Sequence, residues 1–196
     1  MRKKKSPADV VLFHNHCVVL GIDPGKKAGA AVTYDDRLLM SQAVRDKPLE
    51  RARVVATAFG CAKTIADAIG EEVHGVLVVE RFGAGAGAFG RFGARTRDGI
   101  AARAGAWMEA WELGGGKKKH IVRVFPQTWR SPVLGRGQGS AVLMKELAKI
   151  YVVGRYGLCI EDDNEAEAIC IATWAASAFE VGLVVGTRTH TIVGEP

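Results

Sequence analysis

Residues 17–29 read CVVLGIDPGKKAG, and the fold turns on how they are read. An apolar run of strand length, Cys17 to Ile22, stops at a single carboxylate, Asp23, and Pro24 and Gly25 follow at once. A run without polar alternation predicts a strand covered on both faces, and the Pro-Gly pair ends it, so Asp23 is expected at a strand tip that solvent or a ligand can reach. Asp is also a common turn residue. Whether Asp23 does more than begin a turn depends on the rest of the chain.

Downstream the pattern predicts a meander. Ala28 to Tyr34 and Arg37 to Val44 read as two strands joined at Asp35 and Asp36, a hairpin by pattern. From Leu49 to Ile69 apolar residues recur at Val54, Val55, Ala58, Cys61, Ala62, Ile65 and Ile69, which is helical spacing, and Gly70 supplies a stop. Val76 to Val79 is a short apolar run closed by Glu80. It repeats the arrangement of the first strand, apolar residues and then one carboxylate. A glycine-rich loop, RFGAGAGAFGRFG (Arg81 to Gly93), leads into a helix from about Arg95 to Leu113 with Ile100, Ala104, Trp107 and Trp111 along one side. His120 to Phe125 reads as a strand, Pro126 to Arg130 as a short turn or helix, and Gly135 to Gly139 as a second, flexible glycine segment. Helices from about Ser140 to Val152 and Asn164 to Phe179 complete the core, and Gly182 to Pro196 carries a poor strand signal.

Three strands, then strands alternating with helices, imply an α/β fold. Its mixed five-stranded sheet has a three-strand antiparallel meander on one side, parallel strands on the other, and helices on its faces. At 196 residues, 48% of them hydrophobic, a single domain with an ample core is expected. A basic N-terminal extension (1–16) and a C-terminal extension (182–196) would flank it.

The formal charge of +6 and a pI near 9.3 favour a polyanionic partner, nucleic acid being the commonest. Basic residues cluster at Arg2 to Lys5, Lys26 and Lys27, Arg91 to Arg103 and Lys117 to Lys119. Cys17, Cys61, Cys159 and Cys170 lie in apolar segments without C-x-x-C spacing. They read as buried reduced thiols of a cytosolic protein, neither zinc ligands nor a disulfide framework. His14 and His16 read as exposed tail residues. No apolar run reaches the eighteen or so residues that span a bilayer, and the basic start lacks the marks of an export signal.

A third acidic group stands at the head of the last helix, where EDDNEAEAICIATWAA (161–176) passes from polar to apolar. Asp163 and Glu167 are four apart and Asn164 and Glu167 three apart, so each pair shares a helix face. Glu161, Asp162 and Asp163 could also simply complement the helix dipole. Carboxylates converging from three segments need cations to balance them, and oxygen-only ligands suit Mg²⁺ or Mn²⁺. In phosphoryl transfer two such ions activate water and stabilise the departing oxygen.

GIDPG (21–25), VVERF (78–82), FPQTWRSPVLGRGQGS (125–140) and DDNEAEAICIA (162–172) together resemble, in order and rough spacing, the motifs of the RuvC-type Holliday junction resolvases of the ribonuclease H-like superfamily. The resemblance spans about residues 18 to 178. It implies the ribonuclease H-like fold, structure-selective cleavage of four-way DNA junctions with two Mg²⁺ ions that Mn²⁺ can replace, a homodimer, and a bacterial cytoplasmic setting, cellular or phage. It matches the first acid to Asp23, the strand-end glutamate to Glu80 and the last helix acid to Glu167. The family's acid three residues earlier falls on Asn164. Asp163, one position before, is expected as the fourth carboxylate, with Asn164 and Glu165 as rivals. A catalytically inactive junction-binding protein is the alternative reading.

The loop after Glu80 formally satisfies G-x-G-x-x-G at Gly85, Gly87 and Gly90, but Glu80 beside a pyrophosphate would be unfavourable, which weighs against a dinucleotide site. Interleaved Arg81, Phe82, Phe89, Arg91 and Phe92 instead suit stacking on unpaired bases and neutralising phosphates. The resemblance adds Arg130 and Lys145 as basic residues near the scissile phosphate. Arg95, Arg97 and Arg103 read as either DNA contacts or a solvated helix face. The Trp and Ala side of their helix is a candidate dimer interface or part of the core. An actin-like kinase, which pairs two domains of this kind, is excluded by length.

Overall fold

From Val18 to Asp23 every residue is buried, as an unbroken apolar run demands when both faces of its strand are covered. The computed structural model of the chain describes residues 10–11, 16–81, 94–135, 139–180, 184–186 and 192–193, with the backbone alone for 10–11, 94–97, 180, 184–186 and 192–193. In chain order it forms β1 (Val10–Val11), β2 (Cys17–Asp23), β3 (Lys27–Tyr34), β4 (Arg37–Arg45), α1 (Pro48–Ile69), β5 (His74–Glu80), α2 (Ala94–Leu113), β6 (Ile121–Val124), α3 (Pro126–Leu134), α4 (Ala141–Tyr156), α5 (Asp163–Glu180), β7 (Val184–Gly186) and β8 (Ile192–Val193).

The main sheet runs β4-β3-β2-β5-β6. β2, β3 and β4 pair antiparallel, while β2, β5 and β6 pair parallel, so the expected mixed five-stranded sheet is present. Alternate residues of β2 feed two cores, as the two-residue period of a strand requires. Val18, Leu20 and Ile22 face α1 and α2, whereas Val19 faces the side of α3, α4 and α5.

α5 lies close against the sheet because its inner face is small. Ala166, Ala168, Ala172 and Ala175 are fully buried, and a Cβ on Gly21 would stand 2.7 Å from the backbone nitrogen of Ala172. Only glycine allows that approach. α1 starts with Pro48 in its first turn and stops at Gly70, whose φ of 73° is left-handed. α4 is capped by Ser140, which accepts from the Leu143 N–H at 3.1 Å.

Several expectations change. Pro126 to Arg130 is the start of a nine-residue helix that continues through Pro132. The apolar side of α2 belongs to the core: Trp107 and Trp111 are fully buried, and Trp111 stacks on Phe59 at 4.6 Å between centroids. That stripe is closed to a second chain. Arg103 does not lie on a solvated face, since its Nε donates to the Pro24 carbonyl at 2.9 Å. The side chains of Arg95 and Arg97 lie outside the described residues, as does most of the glycine segment 135–139.

All four cysteines are free, but only Cys170 is buried. Cys17 and Cys61 are half-buried, and Cys159 is exposed because it falls in the connection between α4 and α5. His16 is no loose tail residue either. Its Nδ1 lies 2.6 Å from the Tyr34 hydroxyl and its Nε2 3.4 Å from Glu71, because the start of β2 runs beside the end of β3. His14 is not among the described residues. A separate three-stranded sheet forms where β1 pairs antiparallel with β7, and β7 with β8. Among the described residues no helix is long and apolar enough to cross a membrane.

Candidate active site

The parallel register of β2 and β5 sets Ile22 beside Val79, so the next residue of each strand, Asp23 and Glu80, ends its strand next to the other. Both are buried, as is Glu167 one turn into α5. Burial pushes the Asp23 carboxyl well above the usual carboxylate range, and the charges of Glu80 and Glu167 push it further, while Arg130 and Lys145 oppose them. Glu80 is pushed up to about 7, chiefly by burial, with Arg130 and a hydrogen bond from Trp129 acting against it. Glu167 is raised by burial and relieved by Arg130 and Lys145. Three acids in one dry place repel one another, and each responds by holding its proton more tightly.

The surrounding donors are specific. Trp129, fully buried on α3, donates its indole N–H to Glu80 Oε2 at 2.7 Å. Arg130, its neighbour, donates from Nη2 to Glu167 Oε1 at 2.7 Å, a charge-assisted bond of the strong kind. Arg103 braces the turn after Asp23 through the Pro24 carbonyl.

The acids at the start of α5 divide their work. Asp162 caps the helix: its Oδ1 accepts from the Asn164 and Glu165 N–H groups, both at 3.1 Å, and Lys27 pairs with its other oxygen at 2.7 Å. Asp163 is held by two lysines of α4, Lys145 at 3.0 Å on Oδ2 and Lys149 at 2.7 Å on Oδ1. Hydrogen bonds from Lys149 and Lys145 keep its carboxyl below the usual range. Asn164 turns to β3, donating its amide to the Lys27 carbonyl. Glu165 accepts from the Ser41 hydroxyl on β4 at 2.7 Å. Only Glu167 joins Asp23 and Glu80.

The structure thus brings together Asp23, Glu80, Glu167, Arg130 and Lys145 from the expected set, with Asp163 reached through Lys145. Arg81 lies beside them in sequence, but its guanidinium sits over the Phe125 ring at 3.8 Å. Phe82, Phe89, Arg91 and Phe92 lie outside the described residues. Sequence reasoning missed Trp129, Lys149 and Lys27. Lys149 carried a signal, one turn from Lys145 on the same helix face, and Trp129 adjoins Arg130 in a quoted motif.

In chemical kind the three carboxylates fit a hard divalent cation, since they are oxygen donors with more negative charge than their burial tolerates. Among the described residues, however, no group of three or more His, Cys, Asp or Glu side chains is arranged to hold a metal ion as it stands. Arg130 and Trp129 already take one oxygen each from Glu167 and Glu80. Arg130 would have to yield to a cation.

No protein-family model matches the sequence, and no curated protein does. Solved structures do. The chain is similar to a Thermus thermophilus RuvC structure, with a TM-score of 0.52 and 21% identity over 85% of this chain and 98% of that one. A structure of T. thermophilus RuvC in complex with Holliday junction substrate matches with a TM-score of 0.52 and 22% identity, over 85% of this chain and 97% of that one. The chain has the ribonuclease H-like fold of RuvC, as its motifs and strand order led us to expect.

Proposed function

We propose that the chain is a structure-selective endonuclease that resolves four-way (Holliday) DNA junctions by paired symmetrical nicks, leaving 5′-phosphate and 3′-hydroxyl ends. The meeting of Asp23, Glu80 and Glu167 with Arg130 at the ends of two parallel strands carries this reading. Support comes also from the fold it shares with a RuvC solved with Holliday junction substrate and from the net charge of +6.

In this proposal Asp23, Glu80 and Glu167 would hold Mg²⁺, with Mn²⁺ as a substitute. A bound divalent cation would supply Lewis acidity toward the phosphodiester and lower the pKa of water. Burial pushes the Glu80 carboxyl up to about 7, so Glu80 would be available to hold a cation in its ionised form above neutral pH. Arg130, if freed from Glu167 by a cation, would offer its donors to the non-bridging phosphate oxygens, for which the planar guanidinium is suited. Lys145 carries a second positive charge toward the same place. Arg81, Phe82, Phe89, Arg91 and Phe92 would engage the unpaired bases and phosphates at the junction centre. Two symmetrical nicks need two sites, so a homodimer is part of the proposal, and its interface is not the buried tryptophan stripe of α2.

One observation favours a second reading, an inactive junction-binding protein: no described acidic group is arranged to hold a metal as it stands. A synthetic mobile four-way junction separates the two. Nicking with Mg²⁺ that disappears in Asp23→Asn supports the nuclease, whereas junction binding with no nicking at any Mg²⁺ or Mn²⁺ concentration supports the binder.

A further inference from the structure

Some arginines have an Nε that is buried without a hydrogen-bond acceptor among the described residues. Of these, Arg51 and Arg130 each hold a carboxylate through a terminal nitrogen, and Arg81 and Arg123 do not. The register of β5 and β6 sets Val79 beside Arg123 and Glu80 beside Val124, and the Arg81 N–H donates to the Val124 carbonyl at 2.7 Å. Val122 and Val124 face the side of α3, α4 and α5, so Arg123 between them faces the other. Phe125 follows on that same side, and the Arg81 guanidinium lies over its ring. Arg81 and Arg123 are therefore neighbours on one face of the sheet edge, one residue past Glu80.

We propose that Arg81 and Arg123 together bind one backbone phosphate of a DNA strand beside the carboxylate site, an inference that rests on the DNA-binding part of the function proposed above. Neither guanidinium has a carboxylate partner among the described residues. The sequence around them supplies none: there is no Asp or Glu between Glu80 and Asp98, or between Glu112 and Glu146. Two like charges with buried nitrogens repel each other and lose hydration together. Burial, and then the charge of Arg123, accordingly hold the Arg81 guanidinium below its ordinary pKa. A phosphodiester supplies what the pair lacks, one negative charge on two oxygens that accept from planar guanidinium donors. Phe125 fixes the plane of Arg81 in advance through a cation–π contact.

Fluorescence anisotropy of a labelled four-way junction with the full chain, across a salt series and with chelator present, reads binding without cleavage. Arg123→Met keeps an apolar stem and removes the donors. Junction binding should weaken about tenfold, as for a lost charge-assisted hydrogen bond, while the melting temperature of the DNA-free protein holds or rises because a repulsion is gone. Arg123→Lys should recover part of the affinity, restoring the charge without the planar donors. In the double variant, Arg81→Met with Arg123→Met, the slope of log K against log salt should fall by about 0.9, one phosphate, whereas two separate contacts would remove about 1.8. Inorganic phosphate at matched ionic strength should raise the melting temperature of wild type more than that of the double variant. Stabilisation by phosphate with junction binding unchanged in the variants would assign the pair to a free anion and overturn the inference. A slope lowered by about 1.8 would overturn the shared site, and a lower melting temperature with an unchanged slope would leave Arg123 only a structural part. A junction bound through this pair but never nicked would end the nuclease reading and leave the inference standing. No junction binding by wild type would overturn both.

Discussion

At the scale of single residues, Trp129 and Glu80 form the most constraining contact of the site. A buried indole N–H fixes one oxygen of a carboxylate that must otherwise choose between a proton and a cation. Trp129→Phe keeps most of the ring and removes the donor, so junction cleavage should fall about tenfold, the worth of one such hydrogen bond. Trp107→Phe is the matched control, because Trp107 Nε1 is buried with no hydrogen-bond partner among the described residues. It should lower the melting temperature through lost packing and leave the cleavage rate nearly unchanged. Equal rate losses in the two variants would remove the positioning role from Trp129.

Glu80 also sets a pH dependence. Its folded pKa of about 7 exceeds the ordinary 4.5, so the folded chain binds the proton more tightly than the unfolded one. The resulting stability is complete below pH 4.5 and is lost as pH rises through 7, on the order of 3 kcal/mol. Chelated protein should therefore melt at a lower temperature at pH 8 than at pH 5. Glu80→Gln should reduce the difference without abolishing it, because Asp23 and Glu167 are raised as well, and excess Mg²⁺ should restore the melt at pH 8.

At the scale of elements, α5 decides which acids reach the site, and glycines of β2 and β3 decide where α5 lies. Gly29→Ala would drive a Cβ into the Asn164 carbonyl and should destabilise the chain by at least about 3 kcal/mol. Gly60→Ala meets nothing within 4 Å inside α1 and should stabilise it by about 0.5–1 kcal/mol. Thermal melting reads both, and a neutral Gly29→Ala would contradict the close seating of α5. The same packing explains what was legible in sequence. Asp23 and Glu80 could be read because each closes an apolar run, and the meander because its strands end in turn residues. The jobs of Asp162, Asp163, Asn164, Glu165 and Glu167 could not, because successive residues of a helix point about 100° apart. Which of them faces the sheet depends on contacts distant in sequence, Gly29 and Ser41 among them. Trp129 was hidden for another reason, since a tryptophan in an apolar context reads as core and its N–H partner is 49 residues away.

For the whole molecule, the architecture puts its acids where the parallel half of the sheet meets the meander, at the C-terminal ends of β2 and β5. Both faces of the sheet beside them are covered by helices. The most direct measurement is the single-turnover rate of four-way junction cleavage in Mg²⁺ for wild type, Glu167→Gln, Asp163→Asn and Asn164→Ala side by side. Glu167→Gln should slow cleavage by about a thousandfold. Asp163→Asn should cost about tenfold, by loosening Lys145, and Asn164→Ala should stay within a few-fold of wild type. Full activity in Glu167→Gln, with activity abolished in Asp163→Asn or Asn164→Ala, would contradict the three-carboxylate site.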